Sequence, residues 1–446
     1  MLTPAEVFQR ERALSAPFDL RLAGGETVRV DALLRLLPGR RLTARVTRGG
    51  TTQLMKLFAS RRERARELRG LAALAAAAIP APRLLHALPG AVFISYIDGA
   101  RTLARCMHEP ADREPLLRQA LALLERLHAA GLVHADPHFD NFLVTDDGTI
   151  HLVDAGAIRP RRWWVLHQAD RALFCSQLPL AARAPLWIAL GADAASLRAA
   201  IERSDRWRAR WLAAKSTRNC SEFAAERSWR RRCVLRRDHD GAALRAILAD
   251  PDRALQAGAS LKDGYSATVA RIDCAGRTLV LKRYNIKHWR HALARALQHT
   301  RAWRAWCNAA RLRSLGIATP LPVAVLERRW GPLRSTAYLL TEYVEGVPLT
   351  AALDDASVWS RVACELRLLF DALAVLRRSH GDCKASNFLC DAQRVWTLDL
   401  DGMRRRFGAL RMRRALARDR ARLLRNFDAP AAARLGTLLD QEPETS

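Results

Sequence analysis

Read by the placing of its apolar and polar residues, the chain runs through one series of elements and then through a similar series again. In the first half, "LPGRRLTARV" reads as two strands meeting at a turn and "TTQLMKLF" as a third strand; "RRERARELRGLAALAAAAIPAP" then reads as a helix stopped by prolines. An apolar strand, "AVFISYIDG", follows, and later the loop "VHADPHFDNFLV" and the strand "DGTIHLVDAG". The second half repeats the order with "LKDGYSATVARI", "RTLVLKRY", the helix "RAWRAWCNAARLR" ending at "SLGIATP", the strand "AYLLTEYVEG", the loop "SHGDCKASNFLC" and "DAQRVWTLDLDG". Sheet-rich and helical stretches in this order predict an α+β architecture of two tandem units. At 446 residues each unit has enough chain for its own core. The boundary is expected near residues 235–245, giving units 1–235 and 236–446.

Composition changes the picture in three places. Half of the residues are hydrophobic, which excludes a disordered chain. The most apolar stretch, "LAALAAAAIPAPRLLHALPGAVFISYI", is broken by prolines, Arg83 and His86, so it is a poor membrane span. No signal peptide is expected, and nine scattered cysteines without a CxxC pair favour reduced thiols in a cytoplasm. Lys and Arg number 73 against 45 Asp and Glu, a formal charge of +28. That excess points to an anionic partner, or to a genome rich in Arg codons. Only six of the cations are Lys, and Lys56, Lys262, Lys282 and Lys384 lie inside the repeated motifs, where a compact ammonium is needed.

The two loops share His-x-Asp, an Asn five residues after the Asp, and then Phe-Leu: Asp136 with Asn141, Asp382 with Asn387. A further Asp follows beyond a turn and a strand: Asp154 in the first copy, Asp399 or Asp401 in the second. His134, Asp136, His138 and Asp140 alone could face one side of an extended segment as metal ligands. The second copy argues against that reading, because Lys384 and Ser386 replace His138 and Asp140. What both copies keep is two hard oxygen ligands suited to Mg²⁺ with nucleotide phosphates, and a separate Asp placed to deprotonate a hydroxyl. Phosphoryl transfer also needs a strand Lys for the phosphates, offered by Lys56 and Lys282, and a covering turn, offered by Gly39 and Gly264.

These motifs resemble the protein-kinase-like fold and, within it, the lipopolysaccharide kinase family: the Kdo and heptose kinases of the core oligosaccharide and the InaA-like proteins. The second half carries the closer resemblance, in "LKDGYSATVARI", "VLKRYNIKH", "LGIATPLPVAVLERRWGPLRSTAYLLTEYVEG", "HGDCKASNFL" and "LDLDGM". The first half is also similar to the catalytic loops of small-molecule and atypical kinases. The resemblance implies two bilobal units, each with a sheet-rich lobe, a hinge and a helical lobe, using ATP and Mg²⁺. It makes Asp136 and Asp382 the bases, Lys56 and Lys282 the α/β-phosphate ligands, and Asn141, Asp154, Asn387 and Asp399 or Asp401 the metal ligands. Lys384 steadies the γ-phosphate, and His134 and His380 buttress the loops. Glu67 (with Glu63 the alternative) is the acid that holds Lys56; the matching helix "AWCNAARL" has none, leaving Asn308 or another group to serve Lys282. The implied acceptor is a sugar hydroxyl, heptose or Kdo, of the lipid A–core glycolipid at the cytoplasmic face of the inner membrane.

Between the units, "RSDRWRARWLAAKSTRNCSEFAAERSWRRRCVLRRDHD" interleaves Arg with Trp207, Trp211 and Trp229. Such a segment suits nucleic-acid stacking, an anionic membrane surface, or a solvated helix whose indoles pack back on the protein. Beside kinase motifs the membrane or glycolipid is preferred and no nucleic acid is expected. The rival readings of the whole are a pseudokinase scaffold and a kinase acting on a protein or small amphiphile.

Overall fold

The computed structural model describes the chain except residues 11–12, 110–112, 162–168, 192, 265, 286–297 and 442–446. Its contacts divide it into two compact units: Met1–Gln177 with Ala184–Ile201, and Leu178–Arg183 with Glu202–Ser446. The end of the "VLKRYNIKH" motif, from Ile286, lies outside the described residues.

The first unit opens on helix α1 (Pro4–Arg10) and a six-stranded antiparallel sheet, β1 (Phe18–Arg21), β2 (Thr27–Leu37), β3 (Arg41–Arg48), β4 (Thr51–Phe58), β5 (Leu84–Leu88) and β6 (Ala91–Ser95), in spatial order β1-β2-β3-β4-β6-β5. Alternation decides which face is covered: Leu42, Ala44 and Val46 of β3 are fully buried with Val28, Val30, Met55 and Phe93, under Val7 of α1. Helix α2 (Arg61–Ala76) starts at Ser60, whose hydroxyl accepts from the Glu63 amide. Helix α3 (Arg113–Ala129) buries Leu117, Ala120, Leu121, Leu124 and Leu127 at helical spacing, which identifies it as a core helix. It leads to β7 (Leu132–His134), the loop, and the hairpin β8 (Phe142–Val144) and β9 (Ile150–Leu152). Helices α4 (Ala169–Cys175) and α5 (Asp193–Lys215) follow.

The second unit contains a seven-stranded sheet: β10 (Phe223–Arg227), β11 (Arg231–Arg236), β12 (Ala259–Gly264), β13 (Ala267–Cys274), β14 (Arg277–Tyr284), β15 (Pro322–Trp330) and β16 (Leu333–Glu342), in order β10-β11-β15-β16-β14-β13-β12. Both faces are covered. Leu244, Leu248 and Leu255 pack on one side with Ile272, Leu279 and Leu340; Trp303 and Trp306 of α6 (Arg301–Arg313) pack with Val325 and Leu339 on the other. Strands buried on two faces read as continuous apolar runs, as "AYLL" in β16 does. Helix α7 (Trp359–Leu376), hairpin β17 (Phe388–Cys390) and β18 (Val395–Thr397), and helices α8 (Ala409–Leu424) and α9 (Ala429–Asp440) complete it.

The Arg/Trp-rich segment, expected to close the first unit, belongs to the second. From Glu202 onward α5 is part of that unit, and β10 and β11 pair into its sheet, with Cys233 opposite Leu326 and Val234 opposite Val325. The division therefore falls between residues 177 and 202 rather than at 235. The buried part of β11 is only Cys233–Leu235, flanked by arginines, and three apolar residues are too few to show a strand's period.

Candidate active sites

Both units build their loops in the same way. His134 and His380 are fully buried at the loop entry, with rings 6.4 Å from Phe142 and 6.1 Å from Phe388. Burial pushes the imidazole pKa down in each, which favours the neutral ring. The His134 Nδ1 faces the Asp136 amide at 3.2 Å, which fixes where that residue leaves the loop. The Asn141 side-chain amide donates to the Asp136 carbonyl at 2.8 Å, and Asn387 donates to the Asp382 carbonyl at 2.7 Å. Each Asn thereby ties the loop's two ends and keeps its amide oxygen for another partner. His134 is buried while Asp136, His138 and Asp140 are exposed, so this segment does not gather the four alternating residues on one side.

The backbone shows which of Asp399 and Asp401 corresponds in position to Asp154. Asp154 (φ 58°) and Asp399 (φ 53°) both adopt the left-handed conformation and both cap a short 3₁₀ turn, Ala155–Ala157 and Leu400–Gly402. Asp399 is thus the counterpart of Asp154. Asp401 lies inside the turn and pairs with Arg301 of α6.

In the first unit, Lys56 on β4 meets Glu67 of α2 at 2.5 Å, both almost fully buried, and stands 3.9 Å from Asp154. The other Glu67 oxygen accepts from the Gly156 amide at 3.0 Å, so one carboxylate joins strand, helix and turn. Glu63 instead pairs with Arg40. Gly39 (φ 64°) sits in the β2–β3 turn, where only glycine takes that conformation without strain. The adjoining Arg41 reaches Asp154 at 3.2 Å. Burial works against charge on Asp154, but the Lys56 ammonium and the Arg41 guanidinium outweigh it and hold its carboxyl below the usual range.

The second unit replaces the strand–helix pair with two others. Lys282 on β14 pairs directly with Asp399 at 2.7 Å. Asn308 donates to the Leu400 carbonyl at 2.9 Å, bracing the turn rather than Lys282. Burial disfavours both carboxylates; Lys282 and a hydrogen bond from Asp401 nonetheless bring Asp399 down, while burial and the Asp399 charge push Asp401 up. Lys282, Asn387 and Asp399 line one cleft of about 300 Å³, together with Val269, Leu339, Leu398 and Thr341–Val344. Gly264 ends β12 opposite Ala267, and its φ lies outside the left-handed region. Asp382 stands just outside, with the Lys384 ammonium 3.5 Å from one oxygen and the Arg422 guanidinium 2.5 Å from the other.

Arg422, Arg301 and Arg41 are absent from the sequence reading because nothing distinguishes them from many other arginines. Two further acids support the loops from below. Asp419 of α8 accepts the His380 amide at 2.7 Å and the Gly381 amide at 3.0 Å; Asp170 of α4 accepts the His134 amide at 3.4 Å and the His128 ring at 2.7 Å. A signal existed, since each begins an Asp-Arg-Ala triplet downstream of its loop, and Asp419 is the only acid in α8. The same triplet at Asp252 has a different place, so order along the chain was needed as well.

Residues 246–437 match the model of the lipopolysaccharide kinase (Kdo/WaaP) family, and residues 43–159 match that of the RIO domain. Both families are kinases, so the chain is a tandem protein of two kinase-like units and an ATP-dependent phosphotransferase by family. The lipopolysaccharide kinase match falls within the second unit and the RIO match within the first. No curated protein matches the chain.

Proposed function

We propose that the protein phosphorylates a heptose or Kdo hydroxyl of the lipopolysaccharide inner core, using MgATP, as a peripheral protein on the cytoplasmic face of the inner membrane. The observation that carries this reading is the second unit's cleft, in which a cation and two oxygen donors, Lys282, Asp399 and Asn387, meet beside Asp382. The donors fit a magnesium nucleotide: the Asn387 amide oxygen and the Asp399 carboxylate are hard ligands, and two protein ligands suffice when phosphates supply others. MgATP supplies the transferable phosphoryl group and neutralises the charge that develops on it. Lys282 would hold the phosphates of the bound nucleotide, and Asp399 would be a ligand of its metal ion. Asp382 orients the acceptor hydroxyl and takes its proton as the acceptor oxygen bonds to phosphorus and the bond to ADP breaks. Lys384 faces the same space and offsets negative charge there.

A second reading applies to the first unit. Arg41 and Lys56 both neutralise Asp154, which favours a supporting or nucleotide-binding scaffold over an independent kinase. The test is to incubate the protein with labelled ATP and dephosphorylated core glycolipid dispersed in detergent, then locate the phosphate by mass spectrometry. Phosphate on a core sugar is expected. Nucleotide binding without transfer to glycolipid, protein or small amphiphile would leave the scaffold reading.

A further inference from the structure

Two neighbouring hairpins of the second unit end in tryptophans that the protein does not cover. Trp229, in the β10–β11 turn, is 63% exposed, and Trp330, at the β15–β16 turn, is 62% exposed. Pairing of β11 with β15 sets the two tips side by side: the Arg329 amide donates to the Arg230 carbonyl at 2.9 Å and the Gly331 amide to the Trp229 carbonyl at 3.0 Å. The Trp229 ring lies so close to Gly331 that a side-chain carbon there would stand 2.8 Å from it. Pro332 and Leu333, both exposed, continue the apolar edge past Trp330. The two tips, "RSWRRR" and "RRWGPLR", hold seven arginines and no acid. Three of these arginines are engaged by the protein: Arg328 pairs with Asp252, Arg334 stands 3.9 Å from Glu327, and Arg232 lies over the Trp303 ring. Glu226 pairs with Arg245, and Arg227 and Arg230 are exposed.

We infer that this paired tip is the surface by which the protein sits on an anionic phospholipid bilayer, its indoles and Leu333 entering the headgroup layer. The inference rests on the peripheral position proposed above and assigns it to particular residues. Charge complementarity names the occupant, because the exposed Arg227 and Arg230 beside the two indoles are attracted to an acidic leaflet, and tryptophan is the side chain that settles at a membrane–water interface. Single-stranded nucleic acid would also answer the charge. Pro332 and Leu333 offer bases no stacking face, though, whereas an interface accepts all four apolar residues together.

Full-length protein is floated with phosphatidylcholine vesicles made with and without phosphatidylglycerol. Wild type should bind the acidic vesicles and lose them as salt rises. W229S/W330S should reduce that partition by at least about tenfold, and brominated phosphatidylglycerol should quench wild-type tryptophan fluorescence more than the variant's. Should the double variant fail to fold, R227Q/R230Q keeps the indoles and is expected to weaken the salt-sensitive part of binding. Unchanged partition in these variants overturns the assignment, as does tighter binding of single-stranded DNA through the same residues. Absent vesicle binding by wild type overturns it too. The detergent-dispersed transfer assay does not depend on a bilayer, so it reports on the kinase reading independently.

Discussion

Asp382 stands between Arg422 and Lys384, so removing its charge changes the chemistry at that point without removing volume. Asp382→Asn is expected to lower transfer by about 10²–10⁴-fold, the usual contribution of a positioned base, while MgATP still raises the melting temperature. Wild-type turnover in that variant would remove Asp382 from the mechanism. His380 makes a different kind of prediction. Burial lowers its pKa from the ordinary 6.5, so below that pH the unfolded chain takes up a proton that the folded ring refuses. Its contribution to stability is complete above pH 6.5 and is lost as the pH falls. Asp401 acts oppositely: pushed up to about 6, it weakens the fold as pH rises from 3.8 toward that value. His380→Leu keeps the Asp401 limb and removes the other, so its melting temperature should fall less than wild type's between neutral and mildly acidic pH. Parallel curves would show that the ring is charged or solvated in the fold.

At the scale of elements, both sites depend on a helix braced against a short turn. Gly70 of α2 lets that helix approach so closely that an added side-chain carbon would lie 1.9 Å from the Ala155 carbonyl oxygen. Gly70→Ala should therefore cost about 1–3 kcal/mol, as overpacking does, and pull Glu67 away from the Gly156 amide. Urea unfolding of the full chain checks this, and an unchanged midpoint would mean that helix and turn separate freely. Helix α8 carries the corresponding duty for the second loop through Asp419. Asp419→Ala leaves the His380 and Gly381 amides without their acceptor, at about 1–3 kcal/mol for each unsatisfied group. Transfer should fall while nucleotide binding persists, and hydrogen exchange at those two amides should quicken. Retained protection there would mean that another acceptor holds the loop.

For the whole molecule, the question is whether two units mean two reactions. The first has the Lys56–Glu67 pair but also Arg41 on Asp154; in the second, Lys282 lines a cleft, pairs with Asp399 and lies over the Tyr284 ring. Lys56→Met and Lys282→Met, assayed on the same glycolipid, separate the cases. One product lost in both variants is expected, which means a catalytic unit and a supporting one; two products, each lost in one variant, would mean two kinases. If Lys282→Met altered neither nucleotide binding nor transfer, the second cleft would be structural.

How much of this was legible in the sequence follows from how far apart the interacting residues lie along the chain. The loops were legible because their order is local: His, Asp and Asn must follow one another to turn a 3₁₀ corner, so the repetition reported two kinase-like units before any fold was seen. Lys56 with Glu67 was legible for a similar reason, strand and helix being adjacent. Arg422, Arg301 and Arg41 were not, because a chain so rich in arginine writes a surface cation and a site cation identically, and only packing brings them to Asp382, Asp401 and Asp154. The choice of Asp399 over Asp401 needed the left-handed backbone at that position, which composition does not reveal. The division between units needed the sheet itself: β10 and β11 join the second unit through hydrogen bonds to a strand some hundred residues later, and pairing of that range has no mark in local sequence. Local order thus determined the chemistry attempted here, while long-range packing decided which charges meet it and where each unit begins.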